Sequence, residues 1–144
     1  MISSIYPCLW LDSNTLKAAE YYLSIFPNSK IVNNTPMVTI FELNNTKFMA
    51  INGGPEFKFN EAISFVINCE SQEEIDYYWN KLGQGGEEGK CGWLKDKYNI
   101  WWQVVPSILG SLMSNPETAP KTMYAFMQMK KFDIQKLLDA ANSG

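Results

Sequence analysis

Histidine and arginine are both absent from this chain of 144 residues, so all 12 of its positive charges are lysine. Imidazole is the commonest metal ligand and the usual general base near neutral pH, so a His-ligated metal centre and a Ser-His-Asp triad are both excluded. Without a guanidinium there is no planar fork for two-point capture of carboxylate or phosphate. Cysteine is scarce as well. Cys8, Cys69 and Cys91 are odd in number and widely spaced, with no Cys-x-x-Cys pair, which argues against a disulfide framework or zinc ribbon and for a reducing compartment. No run of about 18 apolar residues is present to cross a membrane, and Met1 to Ser4 has neither the basic nor the long apolar region of a signal peptide. A net charge of -3 lacks the basic footprint of a nucleic-acid binder. These gaps predict a cytoplasmic protein with no nucleic-acid and no membrane partner.

What is present is apolar: 46% of the residues are hydrophobic and 14% aromatic, enough for a compact globule of one domain, residues 1–144. Ile5 to Leu11 reads as a strand that stops at Asp12-Ser13-Asn14, a cluster suited to capping a helix. Leu16, Ala19, Leu23 and Phe26 then recur at helical spacing until Pro27. Three extended pieces follow, Lys30 to Asn33, Met37 to Leu43 and Lys47 to Asn52, the last two joined tightly enough through Asn44-Asn45-Thr46 to form an antiparallel hairpin. The same order then returns. Ala62 to Cys69 reads as a strand, and Ser71 with Glu74 makes a capping box for a helix carrying Ile75, Tyr78, Trp79 and Leu82 on one face. Glu87 onward, Cys91 to Lys95 and Ile100 to Val105 complete a second strand-helix-three-strand unit. The tail reads as helices over Ser107 to Met113, Pro120 to Lys130 and Asp133 to about Ala140. Its methionines, Met123, Met127 and Met129, suit packing on the body of the domain or a subunit contact.

The predicted class is therefore α+β: two βαβββ modules, at about 4–53 and 61–106, with C-terminal helices over 107–144. That order, with several uncommon strings, resembles a PhnB-like protein of the vicinal oxygen chelate superfamily, which includes glyoxalase I, bleomycin resistance proteins and extradiol dioxygenases. The strings are Cys8-Leu9-Trp10-Leu11-Asp12, Phe26-Pro27-Asn28-Ser29, Asn52 to Asn60, Cys91-Gly92-Trp93-Leu94-Lys95-Asp96 and Trp102-Gln103-Val104-Val105-Pro106, with Met129-Lys130-Lys131 and Asp133-Ile134 near the end. The resemblance implies a glyoxalase/bleomycin-resistance-like cleft between curled sheets, with helices outside. In metal-using relatives the ligands come from four strand positions, which fall here at Ile5 or Pro7, near Phe48 or Ala50, at Ala62 and at Gln103. Such side chains do not make a divalent-cation site. The expectation is accordingly no metal and no cofactor.

Strand alternation says what the cleft would contain. If Gln103 faces inward, so do Trp101 and Val105, while Ile100, Trp102 and Val104 pack against helices. Ala62, Ser64 and Val66 would share the inner face of the fifth strand. With Asn52 and Phe48, the ligand-binding candidates Gln103, Trp101 and Ser64 describe an apolar, aromatic pocket with few polar anchors, suited to a small flat or hydrophobic molecule. Glu56 and Glu61, with Lys58, are the acid-base candidates near its mouth, although solvated charges need no such role. The three cysteines read as small buried hydrophobes, with Cys91, beside Lys90 and Gly92, as the candidate exception for reactivity.

Some members of the family carry a demethylubiquinone methyltransferase name. No glycine-rich loop follows a strand to open a helix here, as nucleotide-type cofactor sites require. The leading expectation is a homodimer that binds a small molecule without metal. Its alternatives are a lyase or isomerase using cleft carboxylates or a non-standard metal site, and an interaction module working through the Met-rich tail.

Overall fold

The computed structural model describes residues 2–143. The chain divides between Lys58 and Phe59 into two units, each built on one βαβββ module, the second with three further helices. Each unit carries its own buried apolar residues.

In the first unit β1 (Cys8–Leu11) leads into α1 (Thr15–Ile25), then β2 (Lys30–Asn34), β3 (Val38–Leu43) and β4 (Thr46–Asn52). The sheet order is β1-β4-β3-β2, with β1 parallel to β4 and the other pairs antiparallel. The helix starts because the Asn14 side chain accepts a hydrogen bond from the Lys17 amide, and it stops at Phe26, ahead of Pro27. The β3–β4 connection is the two-residue turn Asn44-Asn45, both with positive φ, the conformation that matches the right-handed twist of a hairpin. Leu9, Leu11, Phe41, Leu43, Phe48 and Ala50 point to one side of the sheet and are buried with Ala18, Ala19, Tyr22 and Ile25 of α1. β1 is shorter than expected: Ile5 is exposed, and pairing starts after Pro7, which has no amide hydrogen to give.

The second unit runs β5 (Phe65–Cys69), α2 (Gln72–Gly83), β6 (Glu87–Glu88), β7 (Trp93–Lys95) and β8 (Trp101–Pro106), with sheet order β5-β8-β7-β6 and β5 parallel to β8. Ser71 caps α2 by accepting from the Glu74 amide, while the Glu74 carboxylate accepts from the amide of Glu70, one residue before the cap. Ile75, Trp79 and Leu82 are buried with Leu94, Trp102 and Val104.

Three helices follow: α3 (Leu109–Ser114), α4 (Ala119–Phe126) and α5 (Ile134–Ala141). They are part of the second unit's core, since Phe132 and Leu137 are almost fully buried. The expected helix to Lys130 stops at Phe126, and beyond it the Met129 and Lys130 carbonyls accept from the amides of Cys91 and Gly92. Those two residues lie outside β7. Both have positive φ, and at Gly92 a side chain would collide with Phe132 and the Val104 carbonyl, so only glycine fits. Gln72 fastens the tail to α2: its Nε2 donates to the Phe132 carbonyl at 2.9 Å and its Oε1 accepts from the Ile134 amide at 2.8 Å.

Candidate functional site

The β5–β8 sheet buries alternate residues against α2, and the others form its open face. Trp101, Gln103 and Val105 of β8 lie there half-buried, and Ile100, Trp102 and Val104 face the core, as alternation predicts. Register places Val66, Gln103 and Trp93 in one row across the sheet and Trp101, Lys95 and Glu87 in the next. The Gln103 Nε2 donates to Ser64 Oγ at 2.9 Å, which fixes the amide and leaves the Ser64 hydroxyl hydrogen to donate outward. The indoles of Trp93 and Trp101 meet edge to face with centroids 6.4 Å apart. Beside them is an open hollow of about 340 Å³ lined by Glu61, Gly89, Lys90, Trp93 and Trp101. The Lys95 ammonium lies 5.9 Å from the Trp101 ring and 3.3 Å from the Glu87 carboxylate.

The structure thus gathers four of the expected residues, Gln103, Trp101, Ser64 and Glu61, on one part of the second unit. Ser64 and Ala62 are not in the strand, however. Ala62 sits in a turn held by the Asn60 side chain, which accepts from the Ala62 amide at 2.8 Å, and pairing begins only at Phe65.

The other candidates belong to the first unit and are engaged differently. Phe48 is a correction: it faces the helix, buried 5.6 Å from the ring of Phe41, because β4 alternates in the opposite phase to the one expected. The open-face positions of β4 are Met49 and Ile51, in register with Cys8 and Trp10. Asn52 works inside the fold. Its Oδ1 accepts from the Thr15 amide at 3.1 Å and its Nδ2 donates to the Pro36 carbonyl at 2.8 Å, joining β4 to the start of α1 and to the β2–β3 connection. Glu56 and Lys58 are exposed in the stretch after β4.

The cysteines divide. Cys69 is buried, and burial first, then the carboxylates of Glu74 and Glu70, push its thiol up to about 11. Cys8, expected to be buried, is exposed on the open face of β1, with desolvation raising its thiol. Cys91 is half-buried in the positive-φ turn. Sequence reasoning also missed Asp96 as an organiser of this region. It is 1% exposed, and its carboxylate accepts from the amides of Tyr98 and Ile100 and, at 2.8 Å, from the Trp102 indole, holding the β7–β8 connection. A buried carboxylate within reach of several donors is the signal, and an acid among aromatics gives only a hint of it.

Two four-stranded βαβββ sheets of this topology define the glyoxalase/bleomycin-resistance-like fold of the vicinal oxygen chelate superfamily. The family model described as 3-demethylubiquinone-9 3-methyltransferase matches residues 3–105. A PhnB protein from Bacillus cereus is 30% identical, with a TM-score of 0.66 over 72% of this chain and 99% of that one. The chain belongs to this PhnB-like family. A Pseudomonas aeruginosa protein at 17% identity has a TM-score of 0.59 over 73% of this chain and 98% of its own. The fosfomycin resistance protein FosX of Listeria monocytogenes, solved with Mn(II) and sulfate, is also 17% identical, with a TM-score of 0.57 over 79% of this chain and 98% of that one. These last two show the fold alone. No curated protein matches the chain.

The superfamily includes metal enzymes, and the residues on these faces do not fit a divalent cation. The donors on the β5–β8 face near Gln103 are a neutral amide and a neutral hydroxyl, and the corresponding β1 and β4 positions bring Cys8, Trp10, Met49 and Ile51. Among the described residues no three of cysteine, aspartate and glutamate converge to hold one. Among them, too, no helix is long and apolar enough to cross a membrane.

Proposed function

We propose that this chain binds a small, flat, apolar or aromatic molecule without a metal, on the open face of the β5–β8 sheet, and that it works as a homodimer in the cytoplasm. The observation that carries the reading is the pairing of two half-buried indoles with one amide whose orientation is fixed by Ser64. Aromatic faces supply contact area at low entropic cost, and one preset polar group supplies orientation. Three free cysteines suit a reducing compartment. Exposed Met123, Tyr124 and Met127 on and just after α4 offer an apolar patch for a second subunit. Methyl transfer, named in the family's description, is not part of this reading, because neither strand-to-helix turn, Asp12-Ser13-Asn14 or Glu70-Ser71, has a glycine to approach a nucleotide-type cofactor.

Calorimetric titration with 2-naphthol, a flat ring with one hydroxyl, tests the site. One molecule binds per chain, Trp101→Ala weakens it about tenfold or more, and Gln103→Leu weakens it by a smaller factor. Equal affinity in both variants contradicts the assignment. A second reading, lyase or isomerase chemistry, rests on Glu61 because that carboxylate lines the same hollow. It requires a turnover that falls about a hundredfold in Glu61→Gln.

A further inference from the structure

Two exposed charges on this hollow have no protein partner among the described residues. Glu61 and Lys90 both line it, and neither side chain makes an ion pair or hydrogen bond among the described residues. The neighbouring charges are accounted for. Lys95 pairs with Glu87, and the Glu88 carboxylate accepts from the Trp79 indole at 2.8 Å. What remains is one acid, one base and two indoles around one open volume.

Both charges stand on turns of fixed geometry. Glu61 lies inside the turn that Asn60 closes onto Ala62. Lys90 precedes the positive-φ pair Cys91-Gly92, and its carbonyl accepts from the Trp93 amide at 3.1 Å, which brings residue 90 next to the Trp93 wall. The far side of that turn is anchored, since the Cys91 and Gly92 amides donate to the Met129 and Lys130 carbonyls at 2.8 Å. Gly89 allows the close approach of the Trp93 main chain that forms this wall. A Cβ there would come within 2.9 Å of the Trp93 carbonyl oxygen and 3.4 Å of the Trp93 Cβ.

Resting on the small-molecule reading above, we propose that the ligand is an aromatic zwitterion of the aromatic α-amino acid type. Its ring lies against the Trp93–Trp101 corner, its ammonium faces Glu61 and its carboxylate faces Lys90. Both charges are exposed and hydrated, so a neutral aromatic gains nothing from either, and a simple anion or cation gains from one and is repelled by the other.

Calorimetry with three probes of one shape decides this: L-phenylalanine, 3-phenylpropionate, which lacks the ammonium, and phenethylamine, which lacks the carboxylate. L-phenylalanine binds at least tenfold more tightly than either. Lys90→Gln lowers its affinity to that of phenethylamine, and Glu61→Gln lowers it to that of 3-phenylpropionate, while circular dichroism of both variants is unchanged. If the three probes bind equally, or a singly charged one binds best, the zwitterion assignment is wrong and the aromatic site stands. If none binds and 2-naphthol does not bind either, both the assignment and the small-molecule reading fall.

Discussion

Single residues carry more of this molecule than their place in the sequence suggests, and Asp96 is the clearest case. With three hydrogen bonds accepted in a buried site, Asp96→Ala strands two amides and an indole N–H, and should cost about 2–4 kcal/mol in denaturant unfolding. Asp96→Asn keeps one acceptor oxygen and should cost less. Equal stability of Asp96→Ala and the parent would show that the connection does not depend on it. Cys69 gives a second residue-scale prediction. Its thiol is raised to about 11 from an ordinary 9, so the folded state favours the protonated form. Stability from this group is therefore complete below about 9 and declines as pH rises toward 11. Cys69→Ala should flatten that part of the stability curve relative to the parent, and in the native protein at pH 8 a thiol reagent should modify Cys8 well before Cys69. With Gln103 set inward by the family resemblance, alternation along the regular strand β8 puts Trp101 on the same face and Trp102 on the other, which is how they lie. Phe48 comes from the same resemblance and lies on the other face, and the apolar run Phe48, Met49, Ala50 and Ile51 has no polar residue to reveal the strand's phase.

At the scale of elements, both modules were legible because each has a strong local signal: Asn14 and Ser71 as helix caps, Pro27 and Gly83 as stops, and Asn44-Asn45 as a hairpin turn. The ends that were misplaced are those fixed by distant partners. Nothing local in Gln128 to Lys130 says that these carbonyls are needed by residues 91 and 92, and nothing local in Ala62 to Ser64 separates a strand from the Asn60 turn. The tie between α2 and the tail is likewise non-local. Gln72→Ala removes three side-chain hydrogen bonds, to Asp76, Phe132 and Ile134, and should cost about 1–3 kcal/mol, with faster amide exchange across α5 than across β8 as the readout. Equal protection of α5 in parent and variant would refute it. The neighbouring Asp76 carboxyl is held below its usual range, chiefly by a hydrogen bond from Lys131 and then by one from Gln72. A depressed carboxylate contributes stability above its unfolded pKa and loses it as pH falls through the folded one, so Asp76→Asn should reduce acid sensitivity below about pH 4. The effect is small, because the 2.8 Å ion pair with Lys131 is solvent-exposed.

For the whole molecule, the family was legible because its strings mark positions that the fold uses. Gly92 is required by a close approach, Asp96 by three donors, and Lys130 and Ile134 by bonds that close the second unit. The site was legible only in part. The family resemblance supplies Gln103 and the inner face of the fifth strand, and alternation extends them to Trp101 and Ser64, whereas the place of Lys90 beside Trp93 depends on a turn whose geometry no periodicity encodes. The central claim is that such a face holds an organic molecule and no metal. Native mass spectrometry of the protein, purified gently from cells without chelator, tests this most directly. The account predicts a dimer carrying an organic adduct and no metal, with the adduct lost from Trp101→Ala. A divalent metal bound stoichiometrically to the chain, retained in that variant, would contradict it.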